Sequence, residues 1–134
     1  MSFKKLIQFV FILTFLWVGG ISVSAQDFKG KISTALSGGN IKELSRSFDK
    51  RVQVTIDNKT NYYSSSQAEI IVRDHLAHLG NRSFTLIKSG TSSNQDGEFY
   101  IGQINCSKGS VKVYIYATKV ADVYNIHEIR FEKH

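Results

Sequence analysis

His75, Tyr100 and His127 are the side chains whose types and spacing could do chemistry inside a fold. Ala68, Ile71, Val72, His75, Leu76 and Leu79 recur at i, i+3, i+4, i+7, i+8 and i+11. That spacing puts His75 on the apolar stripe of a helix, facing a core or a cavity. An imidazole in that position can serve as a general base or as a hydrogen-bonding group for a ligand. The plainer role is a histidine satisfied by a buried carbonyl or hydroxyl. We favour it because no Asp or Glu is assigned to the same interior, and acid–base chemistry needs such a partner. No catalytic residue is therefore expected. Asp74, His75 and His78 resemble a metal set, but adjacent helix positions diverge by about 100° and no second cluster supplies ligands. No metal and no cofactor is expected. Cys106 is the only cysteine, so no internal disulfide can form. It reads as a small buried hydrophobe rather than a nucleophile. Gly-rich phosphate loops, Gly-x-Ser-x-Gly elbows and Cys-x-x-Cys pairs are absent.

The elements that must position these residues follow from changes of period. Lys4 and Lys5, the apolar run Leu6 to Val18, the break at Gly19-Gly20 and the tail Val23-Ser24-Ala25 read as a secretory signal cut after Ala25. Export to the periplasm or the medium is expected, with no membrane anchor left after cleavage. Residues 26–134 then make one small domain. The chain has 17 Lys and Arg against 11 Asp and Glu. The excess is spread out, with no basic run and no Arg–aromatic interleaving, so no nucleic-acid partner is expected. Phe28, Ile32, Ala35 and Leu36 mark a first short helix, stopped at Gly38-Gly39. Asn40 can cap a second, with Ile41, Leu44 and Phe48 on its stripe. Val52, Val54 and Ile56 alternate with polar residues as a half-buried strand, and Asp57 to Asn61 has turn chemistry. Ser64 or Ser66 caps the long helix, Ser66 making a capping box with Glu69, and Gly80 ends it. Strands then run over residues 83–89, 98–107, 110–120 and 123–132.

A two-residue turn at Lys108-Gly109 fixes a register. It sets Val111 across from Cys106, Val113 from Ile104, Ile115 from Gly102 and Ala117 from Tyr100. These residues share an apolar face that should meet the helices. If the last connection adds one residue, His127, Ile129 and Phe131 join that face, and Glu132 falls beside Lys112 on the other. His75, Tyr100 and His127 would then line one polar-tipped pocket, with space left by the small Ala117. The opposite face carries Phe99, Ile101, Tyr114 and Tyr116. So aromatic a face suits contact with a partner, and a homodimer is the first candidate.

Tyr63-Ser64-Ser65-Ser66-Gln67-Ala68-Glu69, Phe84, Gly90, Tyr100-Ile101-Gly102 and the closing Ile126-His127-Glu128-Ile129-Arg130-Phe131-Glu132 carry a resemblance. Together they resemble a bacterial family of small exported proteins catalogued as domain of unknown function 4783. That family is similar to the nuclear-transport-factor-2-like (NTF2-like), or cystatin-like, superfamily. The resemblance implies an α+β cone: a curved antiparallel sheet packed against one long and two short helices, with a cavity between sheet and long helix. It implies no reaction. The expected function is a non-catalytic exported module that binds a small or peptidic ligand in the cavity through His75, Tyr100 and His127. The alternatives are a homodimeric assembly module using the outer face, and a small isomerase or hydrolase using His75.

Overall fold

Apolar residues three and four apart build the helical layer. Phe28, Ile32, Ala35 and Leu36 are buried along α1 (Ala25–Leu36). Ala68, Val72, Leu76 and Leu79 are buried along α3 (Ser65–Leu79). Between them, α2 (Ile41–Ser45) starts at Asn40, whose Oδ1 accepts a hydrogen bond from the Lys42 N–H at 2.9 Å. The structure, a computed structural model, describes residues 25–92 and 96–133. The signal-peptide reading covers residues 1–25, of which all but Ala25 lie outside the described residues. No helix among the described residues is long and apolar enough to cross a membrane.

Six strands form one curved sheet: β1 (Phe48–Ile56), β2 (Lys59–Ser64), β3 (Arg82–Thr91), β4 (Gly97–Cys106), β5 (Gly109–Val120) and β6 (Val123–Lys133). Their order is β2-β1-β6-β5-β4-β3. The fold is the expected α+β class with one long and two short helices, and two features of the sheet correct the sequence reading. The sheet is mixed, because β1 runs parallel to β6, pairing Val54 with Ile129 and Ile56 with Phe131. And residues 59–61 belong to a strand, not only to a turn. Asp57 and Asn58 alone make the turn, both with left-handed φ of 52° and 66°, the geometry of a type I′ hairpin. The capping box is also displaced. Ser64 Oγ accepts from the Gln67 N–H while Gln67 Oε1 accepts from the Ser64 N–H. Glu69 instead pairs with Arg73 at 3.2 Å.

The β4–β5 hairpin turns at Ser107-Lys108, one residue earlier than expected. Gly109 follows with φ of 120°, a conformation that side chains resist. Cys106 therefore faces Gly109, Ile104 faces Val111 and Tyr100 faces Ile115. The register differs by two residues from the expected one. Because side chains alternate with period two, every residue of the hairpin keeps its face. Tyr100, Ile104, Val111, Val113, Ile115 and Ala117 all enter the core with Ile126, Ile129 and Phe131. Cys106 is only half-buried, its thiol 3.3 Å from the Gly109 carbonyl, because it closes the hairpin rather than standing one rung inside it.

Arg82 ties the helical layer to the sheet. Its Nε donates to the Leu36 carbonyl at 2.8 Å, and its Nη1 to the carbonyls of Leu76 and Gly80 at 3.0 and 3.1 Å. One guanidinium thus satisfies the C-terminal ends of α1 and α3, where carbonyls lack helical partners and a cation suits the dipole.

Candidate functional site

The β1–β2 hairpin and α3 leave a recess of about 270 Å³ between them, lined by Val54, Ile56, Asp57, Lys59, Asn61, Tyr63 and Ile71. Valine, isoleucine and tyrosine make the walls, and Asp57, Lys59 and Asn61 make a polar rim. His75 follows Ile71 by one turn of α3. Its ring packs edge-on against Phe131, with centroids 4.8 Å apart. Its Nε2 is buried and has no hydrogen-bond partner among the described residues. Burial lowers the pKa from its ordinary 6.5, with Asp57 opposing the shift and His78 and Lys133 adding to it. The imidazole is therefore neutral near pH 7, and its free nitrogen can donate or accept according to tautomer.

Tyr100 and His127 do not join His75. Tyr100 is buried elsewhere in the core, at the side of α1. Phe28 packs edge-on against it at 5.4 Å and stacks on Tyr124 at 4.1 Å. The Tyr100 hydroxyl donates to Glu98 Oε2 at 2.5 Å. Burial, and then this bond, push the phenol pKa up. Glu98 faces Ala117 in the register. It is a carboxylate on the inner side that sequence reasoning missed, although its even spacing from Tyr100 was a signal.

His127 is on the opposite face. β6 bulges between Ile126, which faces Ala117, and Glu128, which faces Tyr116. The extra residue is His127, so the bulge moves Ile126 inward and His127 outward. There its Nδ1 lies 3.2 Å from Asp49 Oδ2 and its Nε2 2.8 Å from the Thr118 hydroxyl. With Arg51, Gln53 and Tyr62 it lines an open groove of about 460 Å³. The expected three-residue pocket does not exist. Asp49, on β1, had no sequence signal to mark it as the partner of His127.

Phe99, Ile101, Tyr114 and Tyr116 are brought together on the outer face. They border a depression of about 220 Å³ with Glu128 and Arg130. Phe99 faces Tyr116 and Ile101 faces Tyr114. The Phe99 ring lies over Gly90, where an added Cβ would come within 2.8 Å of it. Arg130 stands 5.4 Å from the Tyr114 ring centroid and 2.9 Å from Glu128. Among the described residues no group of three or more His, Cys, Asp or Glu could hold a metal ion.

Residues 29–132 match the family described as domain of unknown function DUF4783. Crystal structures of members from Bacteroides uniformis and Bacteroides fragilis superpose with TM-scores of 0.70 and 0.69 at 26% and 23% identity. Each alignment covers 78% of this chain, and 95% and 96% of the respective relative. The designed protein Rd1NTF2_04 with long sheet superposes with a TM-score of 0.67 at 16% identity, over 81% of this chain and 100% of its own. No curated protein matches.

Proposed function

For a chain that belongs to the DUF4783 family and has an NTF2-like α+β fold, we propose the role of an exported, non-catalytic module that binds a small or peptidic ligand in the recess between the β1–β2 hairpin and α3. The observation that carries this reading is the buried, unpartnered Nε2 of His75, one helical turn along α3 from Ile71 in the wall of a recess with apolar walls and a polar rim. A buried polar atom without a partner costs stability. A ligand that hydrogen-bonds to it recovers that cost on binding. The groups that would activate His75 as a base are weak: Asp57 is an exposed hairpin residue, and burial lowers the imidazole pKa. That combination favours recognition over turnover. Native mass spectrometry of the protein purified from the cells that make it tests the reading. Wild type should carry a bound mass that Ile71→Lys loses. A bare wild-type mass, or the same adduct on both proteins, would remove the recess from consideration.

A second reading rests on the outer face, where all four aromatic and aliphatic residues expected at an interface border one depression. Glu128, Arg130 and Glu132 alternate in sign along β6. A two-fold copy shifted by one step would set Arg130 against a partner carboxylate, so the face is complementary to itself. A homodimer would be seen as a concentration-dependent sedimentation coefficient, and Tyr116→Asp should abolish it.

A further inference from the structure

We propose that the occupant of the recess is an extended segment of another protein, added to the edge of the sheet beside β2. It would set aliphatic side chains against the recess walls, with one polar inward group reaching toward His75, and acidic ones over Arg51 and Tyr62. The inference rests on the recess being the binding site and specifies what fills it.

β2 is the outermost strand on its side of the sheet. The type I′ turn at Asp57-Asn58 decides which of its backbone groups are already used. The closing pair of such a hairpin, Ile56 and Lys59, exchanges both hydrogen bonds, and alternation gives the same to Asn61 and Tyr63. Thr60 and Tyr62 therefore turn their N–H and C=O groups to the open side. No turn, loop or cap hydrogen bond reaches either residue among the described residues. The two edges of the sheet differ. β3 is interrupted by a bulge between Leu86 and Lys88, a device that blocks strand addition. β2 pairs with β1 through six consecutive residues without a bulge, and the chain has no proline to block that edge.

The side chains beside this edge match an added strand. Lys59, Asn61 and Tyr63 line the inner recess. Tyr62, 59% exposed, lines the outer groove with Arg51, Gln53 and His127. A strand laid along β2 has the same alternation, so its successive side chains meet the recess and the groove in turn. The walls Val54, Ile56 and Ile71 suit aliphatic groups. On the outer side the Arg51 guanidinium stands 4.9 Å from the Tyr62 ring centroid, and Asp49 is engaged by His127. In the recess rim Lys59 is offset by Asp57, so the net charge along the edge is positive and comes from Arg51 on the outer side. It complements acidic side chains and disfavours a second copy of the same edge.

The test selects binders from a random dodecapeptide phage library on the purified protein, then measures resynthesised peptides by fluorescence polarisation. The expected peptides alternate aliphatic and acidic residues. N-methylation along such a peptide should weaken binding at every second position. Tyr62→Pro should weaken it at least tenfold, because it removes an outward N–H and no ladder bond; Ile71→Lys should do the same. If Tyr62→Pro does not fold, the N-methyl series on wild type decides. Peptides that depend on Ile71 but show neither alternation nor Tyr62→Pro sensitivity would overturn strand addition and leave the recess as the site. Failure to enrich any peptide, with a small molecule bound in native mass spectra, would do the same. Peptides indifferent to both variants would overturn both readings. A wild-type dimer that Tyr62→Pro dissociates would assign the edge to a second copy and overturn the proposal.

Discussion

His127 bridges Asp49 and Thr118, with Nδ1 3.2 Å from the carboxylate and Nε2 2.8 Å from the hydroxyl. One imidazole in the bulge of β6 thus joins β1 to β5 across the outer face. Both side chains of the His127–Asp49 contact are about a third exposed, so that contact is worth little as charge, and the directional part of the bridge is the hydrogen bond to Thr118. His127→Ala should lower unfolding free energy by about 1 to 2 kcal/mol, read from urea denaturation at pH 7.5. A variant as stable as wild type would make the bridge incidental.

Arg82 should matter more. It serves three carbonyls at the ends of two helices. Arg82→Met keeps much of the apolar stem and removes every donor. The expected loss is about 2 to 4 kcal/mol, since the part-buried carbonyls of Leu36 and Leu76 each lose a charged donor. Arg82→Lys should recover only part of it, because one ammonium lacks the fork geometry. Equal melting temperatures for Arg82→Met and wild type would contradict this account of the helical layer.

His75 gives the fold a pH dependence of known sign. Its folded-state pKa lies below the ordinary 6.5 of the unfolded chain. Above that value the imidazole is neutral in both states and its contribution is fully present. Below it the unfolded chain binds the proton more readily, so stability falls as pH drops through about 6.5. His75→Gln should flatten this part of the stability curve between pH 7.5 and 5. A slope unchanged by the substitution would mean that His75 is not held neutral by burial.

The outer face predicts a different outcome for Tyr116. Tyr116→Asp places a carboxylate beside Glu128 in the depression that Phe99, Ile101 and Tyr114 border. If the face pairs with a copy of itself, sedimentation should show a dimer for wild type and a monomer for the variant. Monomers in both cases at high concentration would end the dimer reading.

The helices and the faces of the β4–β5 hairpin were legible in the sequence for one reason: period. Val72, Leu76 and Leu79 repeat at helical spacing, and Tyr100, Ile104, Val113 and Ile115 at even spacing, so a register error of two residues left every face correct. What was not legible broke a period or lay far along the chain. β2 is exposed at five of its six positions and shows no apolar alternation to mark it. His127 changed face because a bulge inserts one residue, which local propensity does not announce. The parallel pairing of β1 with β6 joins residues more than seventy positions apart. Of the expected pocket, His75 lies one helical turn from the recess wall at Ile71, whereas Tyr100 packs against Phe28 at the side of α1 and His127 is outside.

A crystal structure of the protein with whatever co-purifies from its native cells decides whether the recess between the β1–β2 hairpin and α3 is the binding site. Ligand density is expected in the recess walled by Val54, Ile56, Tyr63 and Ile71, with a polar atom within hydrogen-bond distance of His75 Nε2. Density confined to the outer face, or an empty recess in which His75 Nε2 bonds to the protein itself, would contradict it.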